Sequence, residues 1–176
     1  GQLGIEGDTH KDIGSDSDFQ EGIYEMGDAL RYSDLGTGKY PVKLIKGAKI
    51  GMGAILNDGT LKMWGRSNGL GYDKKINIGE RENQMGDNLE TVNVGTNRKI
   101  VDIAVSESHT AVILDDGTVK CWGYNGIGQL GYGDTDNRGD GIDHGTPSGR
   151  GLMGDNLLPV DLGTGRTAVQ ISCGSN

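Results

Sequence analysis

Positively charged residues are scarce in this sequence. Its 176 residues include 17 Lys and Arg against 25 Asp and Glu, which gives a formal net charge of −8 at pH 7. A protein that binds DNA or RNA through the phosphates is expected to present a basic face. The charge balance therefore argues against direct binding of nucleic acid.

Long apolar runs and cysteines are scarce as well. The sequence contains no stretch of 18 apolar residues and no visible signal peptide, so no membrane span is predicted. The only cysteines, Cys121 and Cys173, have no close His or Cys companions, which excludes a zinc site. They could form a disulfide between neighbouring units or remain two buried thiols, and the sequence favours the thiols.

Apolar residues make up only 34% of the chain, whereas glycine accounts for 33 of its residues. Glycine costs about 1 kcal/mol per helical position relative to alanine, so long helices are disfavoured. A polar, glycine-rich composition is also typical of disordered chains. Regularly spaced apolar strand patterns argue against disorder and indicate narrow buried faces joined by many turns.

The sequence does contain an internal repeat. The segment Leu114–Gly123, LDDGTVKCWG, has a near twin 58 positions earlier in Leu56–Gly65, LNDGTLKMWG. A Met-Gly-Asp motif keeps the same rhythm at Met26, Met85 and Met153. Self-similarity at a fixed period indicates an array of equivalent modules that bury their apolar faces against one another.

This period divides the chain into approximate repeat units. The chain begins inside a unit without an initial Met, and it stops where the earlier copy continues into a strand. We therefore expect an internal piece of a longer polypeptide. The predicted organisation is one partial domain, 1–176, with units 1–65, 66–123 and 124–176, the last of them incomplete.

Each unit is predicted to contain antiparallel strands. In the second unit the apolar patterns predict strands at Val101–Val105, Ala111–Leu114 and Thr118–Trp122. Asp116-Gly117 between the last two predicts a tight I′ hairpin turn with positive φ at both central residues, and Asp58-Gly59 does so in the preceding unit. The candidate architectures are a β-propeller blade and a β-solenoid rung, and the repeat length favours a blade with a long loop.

The order of motifs resembles the regulator of chromosome condensation repeat. The motifs are Ser106–Leu114, then Trp122–Gly126, then Gly128–Asp134, followed by Val160–Gly163 and an Ile-Ser-x-Gly strand. This resemblance covers essentially the whole chain and implies an all-β, seven-bladed β-propeller, of which about three blades are present. The Met-Gly-Asp insertions are similar to those of microbial and algal branches of the family.

Several repeated residues are predicted to be structural. A tryptophan offers a large apolar area and one donor, so packing between blades is favoured over a ligand platform. The resemblance implies a packing and hydrogen-bonding role for the His, which the first copy lacks. No Ser or Cys carries a motif that would pair it with this His, so no catalytic residue is predicted. The structural set is Trp64, Trp122, Gly65, Gly123, Asp58, Gly59, Asp116, Gly117 and His109.

One acidic loop is a weak calcium candidate. Asp134, Asp136 and Asp140 begin like a calcium loop, because Ca²⁺ requires several clustered oxygen ligands. However, Arg138 occupies a position where a ligand is needed, and no Glu closes the loop. Solvated, turn-forming aspartates are therefore favoured, and the prediction contains no metal and no cofactor.

These features predict a non-enzymatic protein-interaction or structural scaffold, part of a larger chain or assembly. Its expected partner is another protein or the remaining blades of the parent chain, and self-association is compatible with an open array. The resemblance implies two alternatives. One is a guanine-nucleotide exchange factor for a small GTPase, and the other is a propeller that inhibits an enzyme.

Overall fold

The computed structural model describes residues 32–47, 51–66, 69–74, 76–139 and 153–174. These residues form two three-stranded antiparallel sheets and two short 3-10 turns, at Gly86–Asn88 and Gly154–Asn156. Among them there is no α-helix, and hence none long and apolar enough to cross a bilayer. The predicted all-β fold with propeller-type blades is confirmed. The strands are β1 Pro41–Lys46, β2 Gly51–Leu56, β3 Leu61–Gly65, β4 Ile100–Val105, β5 His109–Leu114 and β6 Val119–Gly123.

Both sheets have the same strand order and register. The first is ordered β1-β2-β3 and the second β4-β5-β6. Pro41 lies opposite Leu56, as Ile100 lies opposite Leu114, and the pairing shifts by one residue directly afterwards in both sheets. The residue at this bulge is Val42 in the first sheet and Val101 in the second. The sheets are therefore copies down to their irregularity.

The hairpin turns correct one expectation. Gly59 N donates to Leu56 O at 2.8 Å, and Gly117 N donates to Leu114 O at 2.9 Å. The two glycines have φ of 82° and 77°, whereas no Asp in either turn has positive φ. Each turn is thus a three-residue loop with a left-handed glycine, so the prediction of a type I′ turn is wrong. The Asp side chain instead accepts hydrogen bonds from the Thr two residues later.

The second sheet is buried on both faces, so β5 and β6 have continuous rather than alternating burial. Side chains on one face, including Val112 and Trp122, join the apolar cluster of the first sheet. Those on the other face, including Ile113 and Cys121, pack with residues 160–173. This sheet is therefore one layer between two neighbours, as a blade is.

The outer edge of each sheet is covered without a full fourth strand. Along β3, Val92 N donates to Leu61 O at 2.8 Å, the Tyr72 hydroxyl bonds the backbone of Met63, and Ile78 forms a two-way bridge with Gly65. The same roles along β6 fall to Val160, Tyr132 and Arg138. An exposed strand edge invites pairing with other chains, and these contacts prevent it.

Candidate interaction surfaces

A buried lysine joins the first unit to the loop that follows it. Lys62 Nζ donates to Leu35 O at 2.9 Å and to Gly86 O at 2.7 Å. The Asp87 carboxylate accepts from Thr37 N at 2.8 Å and from Thr37 Oγ1 at 2.6 Å. We call Thr37, Lys62 and Asp87 the first clasp.

The second unit repeats this arrangement. Lys120 Nζ donates to Val94 O and to Gly154 O, both at 2.9 Å. Asp155 accepts from Thr96 N at 2.8 Å and from Thr96 Oγ1 at 2.5 Å. Thr96, Lys120 and Asp155 form the second clasp, so the Met-Gly-Asp motifs at Met85 and Met153 are inter-unit contacts rather than free loops, and the copy at Met26 lies outside the described residues.

Burial lowers the pKa of both clasp lysines below the usual lysine value, and the nearby aspartates partly oppose that shift. Only 4% of Lys62 and 6% of Lys120 is exposed. Desolvating an ammonium group is costly unless it is paired or hydrogen-bonded. Each lysine can therefore be buried only when the neighbouring segments place their carbonyl groups around its ammonium group.

The two repeat tryptophans are buried. Trp64 is 2% exposed and Trp122 is fully buried. The Trp122 Nε1–H donates to Gly69 O at 2.9 Å, and Thr110 Oγ1 donates to the same carbonyl at 3.0 Å. Both rings lie in the apolar cluster of the first sheet, and the structural role of Trp64 and Trp122 stays a prediction.

The structure pairs His109 with a serine that the sequence analysis did not identify. Ser106 Oγ lies 2.7 Å from His109 Nδ1 and accepts hydrogen bonds from Ser108 N and His109 N. The same hydroxyl lies 3.2 Å from His109 O, to which it can donate, so Ser106 Oγ contacts both the ring and the backbone of His109. Both residues are buried, and burial lowers the pKa of His109. The pair closes the β4–β5 turn and offers no exposed nucleophile.

Asp134 is the centre of a hydrogen-bond network. Its carboxylate accepts from Arg138 NH1 at 3.0 Å and NH2 at 2.8 Å, and also from Asn125 and from Asp136 N. The Arg138 guanidinium lies 4.0 Å from the Tyr132 ring centroid. Asp140 lies outside the described residues, and the described ones contain no group of three His, Cys, Asp or Glu that could hold a metal. The preference for turn-forming aspartates over a calcium site at Asp134, Asp136 and Asp140 stays a prediction.

Both cysteines are free thiols, so the disulfide considered between them is not formed. Cys121 and Cys173 belong to the same apolar cluster. Burial raises the pKa of Cys121 to about 12 and also raises that of Cys173. Neutral thiols are favoured because a thiolate would be poorly solvated there.

Exposed valines lie at the bulge of β1 and of β4, and a third lies at the aligned position of the last unit, which is not part of a described strand. Val42 is 60% exposed, Val101 is 63% exposed and Val169 is 95% exposed. Val169 is the counterpart of Val101, because Ala168 N bonds Gly117 O as Ile100 N bonds Gly59 O. The strands β1 and β4 that carry the first two are linked by the ion pair Lys43–Asp102. We call these three residues the valine surface.

A cavity of about 350 Å³ marks where the units differ, with Tyr132, Arg138, Leu158 and Asp161 among its lining residues. In the preceding unit the corresponding position is spanned by the Lys74–Glu90 ion pair at 3.2 Å. The counterparts of these two residues are Asp134 and Leu158, which cannot form an ion pair. The two units therefore differ in the polar contact at this position.

The clasps were missed at the sequence level. A lysine within a strand is normally read as solvent-facing, because lysine is almost never fully buried. The available signal was the recurrence of Lys two residues before both Trp, together with the recurrence of Met-Gly-Asp. Considered jointly, these repeats could have indicated a paired contact.

The chain was compared with known families and structures. Residues 100–129 and residues 116–176 match two family models, both described as Regulator of chromosome condensation (RCC1) repeat. The crystal structure of human WBSCR16 is similar over 81% of this chain, with 17% sequence identity and a TM-score of 0.47. The match covers 31% of that protein's chain, so this sequence spans about a third of its length.

Proposed function

The chain belongs to the regulator of chromosome condensation repeat family, and from that premise we propose that it is a non-enzymatic scaffold for protein interaction. Repeats of this family form propeller-type protein-interaction domains. The finer proposal is that the valine surface contacts the partner, within a larger chain or assembly. The predicted unit boundaries, 1–65, 66–123 and 124–176, are part of the same proposal.

The exposure of Val42, Val101 and Val169 carries this proposal. A β-bulge redirects a side chain, and bulges are over-represented at sheet edges and next to active sites. Val42 and Val101 lie at such bulges. Single exposed apolar residues are common, but here the exposure recurs at one position of three successive units. Such recurrence supports a surface that a partner covers.

The polar side chains of the repeat form hydrogen bonds within the chain itself, and this supports a scaffold role. Lys62 and Lys120 bond backbone carbonyls, Asp134 binds Arg138, and Ser106 binds His109. A catalytic site needs a nucleophile or a base that can reach a substrate. These groups instead stabilise turns and inter-unit contacts.

Photo-crosslinking tests the proposal. A photoreactive amino acid at position 101, in the chain expressed in its source cells, should give one dominant protein adduct. The same residue at position 127, where Ile127 is also exposed, is the control. Equal adduct patterns at both positions would show that the valine surface has no specific partner.

Enzymatic assays separate the scaffold from its alternatives. We expect nucleotide release from a panel of small GTPases, and turnover by a panel of hydrolases, to stay at their intrinsic rates when the chain is added. Accelerated nucleotide release would contradict the scaffold in favour of an exchange factor. Inhibition of one hydrolase would favour the inhibitor.

A further inference from the structure

The outer edge of the first sheet shows how this repeat holds a lysine side chain. The Tyr72 hydroxyl bonds the backbone of β3, and two residues later Lys74 reaches Glu90, with 3.2 Å between Nζ and Oε2. A lysine can lay its methylene stem along apolar surface while its ammonium group stays in water. Lys74 is therefore the chain's own example of a cation held at this position.

The same position of the next unit is a cavity that no described lysine lines. Tyr132 bonds the backbone of β6 as Tyr72 bonds that of β3, but Asp134 and Leu158 replace the two members of the ion pair. About 350 Å³ is open there, with Leu157, Leu158 and Pro159 in its wall. This volume lies in the range of small ligand pockets, which are mostly apolar with a few polar groups.

The charges around the cavity leave one carboxylate unpaired. Asp134 accepts from Arg138 NH1 at 3.0 Å and from NH2 at 2.8 Å, so these two charges offset each other. Asp161 accepts from Gly163 N at 2.8 Å and has no ion-pair partner among the described residues. The negative charge of Asp161 therefore remains, and it favours a cation over an anion.

The outer part of the cavity is open whether or not another unit follows. In the preceding unit, which has a complete neighbour, Glu90 and Asn93 are exposed. Their counterparts are Leu158 and Asp161, which are exposed as well. Only the inner end of the cavity, at Gly131, differs, because the counterpart of this glycine is buried against the next sheet. A ligand at the outer end thus occupies space that a further unit does not fill.

We propose that the outer part of this cavity binds a lysine side chain of a partner protein. Its methylene stem lies along Leu158 and Pro159, and its ammonium group pairs with the Asp161 carboxylate. The occupant is the one that the chain itself supplies at the equivalent position, and its charge is opposite to that of Asp161. Complementary charge of this kind adds specificity more than affinity.

This inference rests on the proposed scaffold role but uses a different surface. The cavity lies at the β6 edge of the second sheet, whereas Val101 lies on β4 at the opposite edge. A failed crosslink at position 101 therefore leaves the lysine site standing. Failed binding at the lysine site likewise leaves the valine surface standing.

NMR titration with a small lysine derivative tests the site. The probe is Nα-acetyl-lysine N-methylamide, added to the isotope-labelled full chain. The backbone amides of Tyr132, Leu158 and Asp161 should shift saturably, with a Kd of about 1–10 mM, because one exposed ion pair is weak. The amides of Tyr72 and Glu90 should not shift, because Lys74 already occupies the equivalent position.

A second probe isolates the ammonium group. Nα-acetyl-norleucine N-methylamide has the same stem without the charge and should bind several-fold more weakly. Equal binding of the two probes would overturn the ion pair. The absence of saturable shifts up to about 50 mM of the lysine probe would overturn the site itself. Shifts of the same size at Tyr72 and Glu90 would also contradict it.

Matched variants of the chain test the two sides of the site. Asp161→Asn introduces the residue of the preceding unit and keeps an acceptor for Gly163 N. It should weaken binding of the lysine probe about three- to fivefold and leave the norleucine probe unchanged. Leu158→Lys supplies a lysine from the chain itself and should abolish binding. Both positions are exposed, so thermal unfolding should match the parent chain. Unchanged affinity in Asp161→Asn would contradict the proposal.

The competing occupant is the chain's own segment 140–152, which contains Arg150 and lies outside the described residues. The variant Arg150→Gln should bind the lysine probe with the same affinity as the parent chain. Binding that appears only in this variant would show that the chain fills its own cavity, and it would overturn the assignment to a partner.

Discussion

The first and second sheets have the same register but different turns at the start of their hairpins. In the second sheet Ser106 N donates to His109 O at 2.9 Å, and the serine hydroxyl caps the turn. In the first sheet Gly47 N donates to Gly51 O at 2.9 Å across a turn that is one residue longer. Two different local sequences thus join strands of the same register.

The sheets also differ in one cross-strand pair. Gly53 lies opposite Met63 in the first sheet, and Ala111 lies opposite Cys121 in the second. A Cβ at Gly53 would collide with Met63 Sδ. The smaller residue faces the larger one in the first sheet, and two small residues face each other in the second. The combined volume of the two side chains, rather than the size of either one, is therefore what fills the layer between units.

The largest effect is expected at the turn glycine of the first sheet. Gly51 has φ of 139°, and a Cβ there would collide with Trp64 O. Gly51→Ala should therefore destabilise by about 3 kcal/mol or more in urea unfolding. Gly38→Ala is the control, since Gly38 has φ of 68° but no atom within 4 Å of a Cβ, and it should cost about 1 kcal/mol. Equal losses would contradict the collision.

The clasp lysines should have the next largest effect. Lys62→Met leaves Leu35 O without a donor and Lys120→Met leaves Val94 O without one, whereas Gly86 O and Gly154 O keep the bonds from Leu89 N and Leu157 N. Each variant should lose about 2 kcal/mol of unfolding free energy, since buried unsatisfied groups cost about 1–3 kcal/mol. A loss in one unit only would show that the two clasps are not equivalent.

The cross-strand pair predicts a rescue. Gly53→Ala alone should destabilise by about 1–2 kcal/mol through overpacking against Met63. Gly53→Ala combined with Met63→Cys reproduces the pair of the second sheet and should recover most of that loss. Additive destabilisation by the two substitutions would count against shared volume as the reason for the difference.

His109 should give the second sheet a pH dependence that the first lacks. Burial lowers its folded pKa below the usual 6.5, so the unfolded chain takes up a proton first as the pH falls. Its contribution to stability is therefore present above about pH 6.5 and is lost as the pH falls through that value towards the folded pKa. Thermal unfolding of His109→Gln should show a smaller decrease between pH 7 and 5 than the parent chain. Identical decreases would exclude His109 as the source.

The smallest effect is expected for the clasp threonines. Thr37→Val and Thr96→Val remove one hydroxyl donor to an exposed carboxylate and keep the backbone donor. Each should lower the unfolding temperature by no more than about 2–4 °C. The aspartates have lowered pKa values because of these hydrogen bonds. The stabilisation by these two carboxylates should thus be present above about pH 4 and be lost below it. The loss should be smaller in the threonine variants.

Strands β4, β5 and β6 could be predicted from the sequence, because apolar runs flank Asp116-Gly117 in a repeated frame. The turn type could not, since both turn types carry Gly after Asp and differ only in which residues take positive φ. The burial of Lys62 and Lys120 could not be predicted either, because it depends on carbonyls from segments about 25 to 35 residues away in sequence. Contacts between units supply what local patterns do not contain.

Amide hydrogen exchange of the Lys62→Met variant tests most directly whether contacts between units stabilise the array. Exchange is compared with the parent chain at Ala54 and Ile55 in β2 and at Val112 and Ile113 in β5. If the units are coupled, protection should fall in both sheets, because in a repeat array stability includes nearest-neighbour interfaces. A loss confined to the first sheet, with β5 unchanged, would contradict the coupling and mean that each sheet is stable by itself.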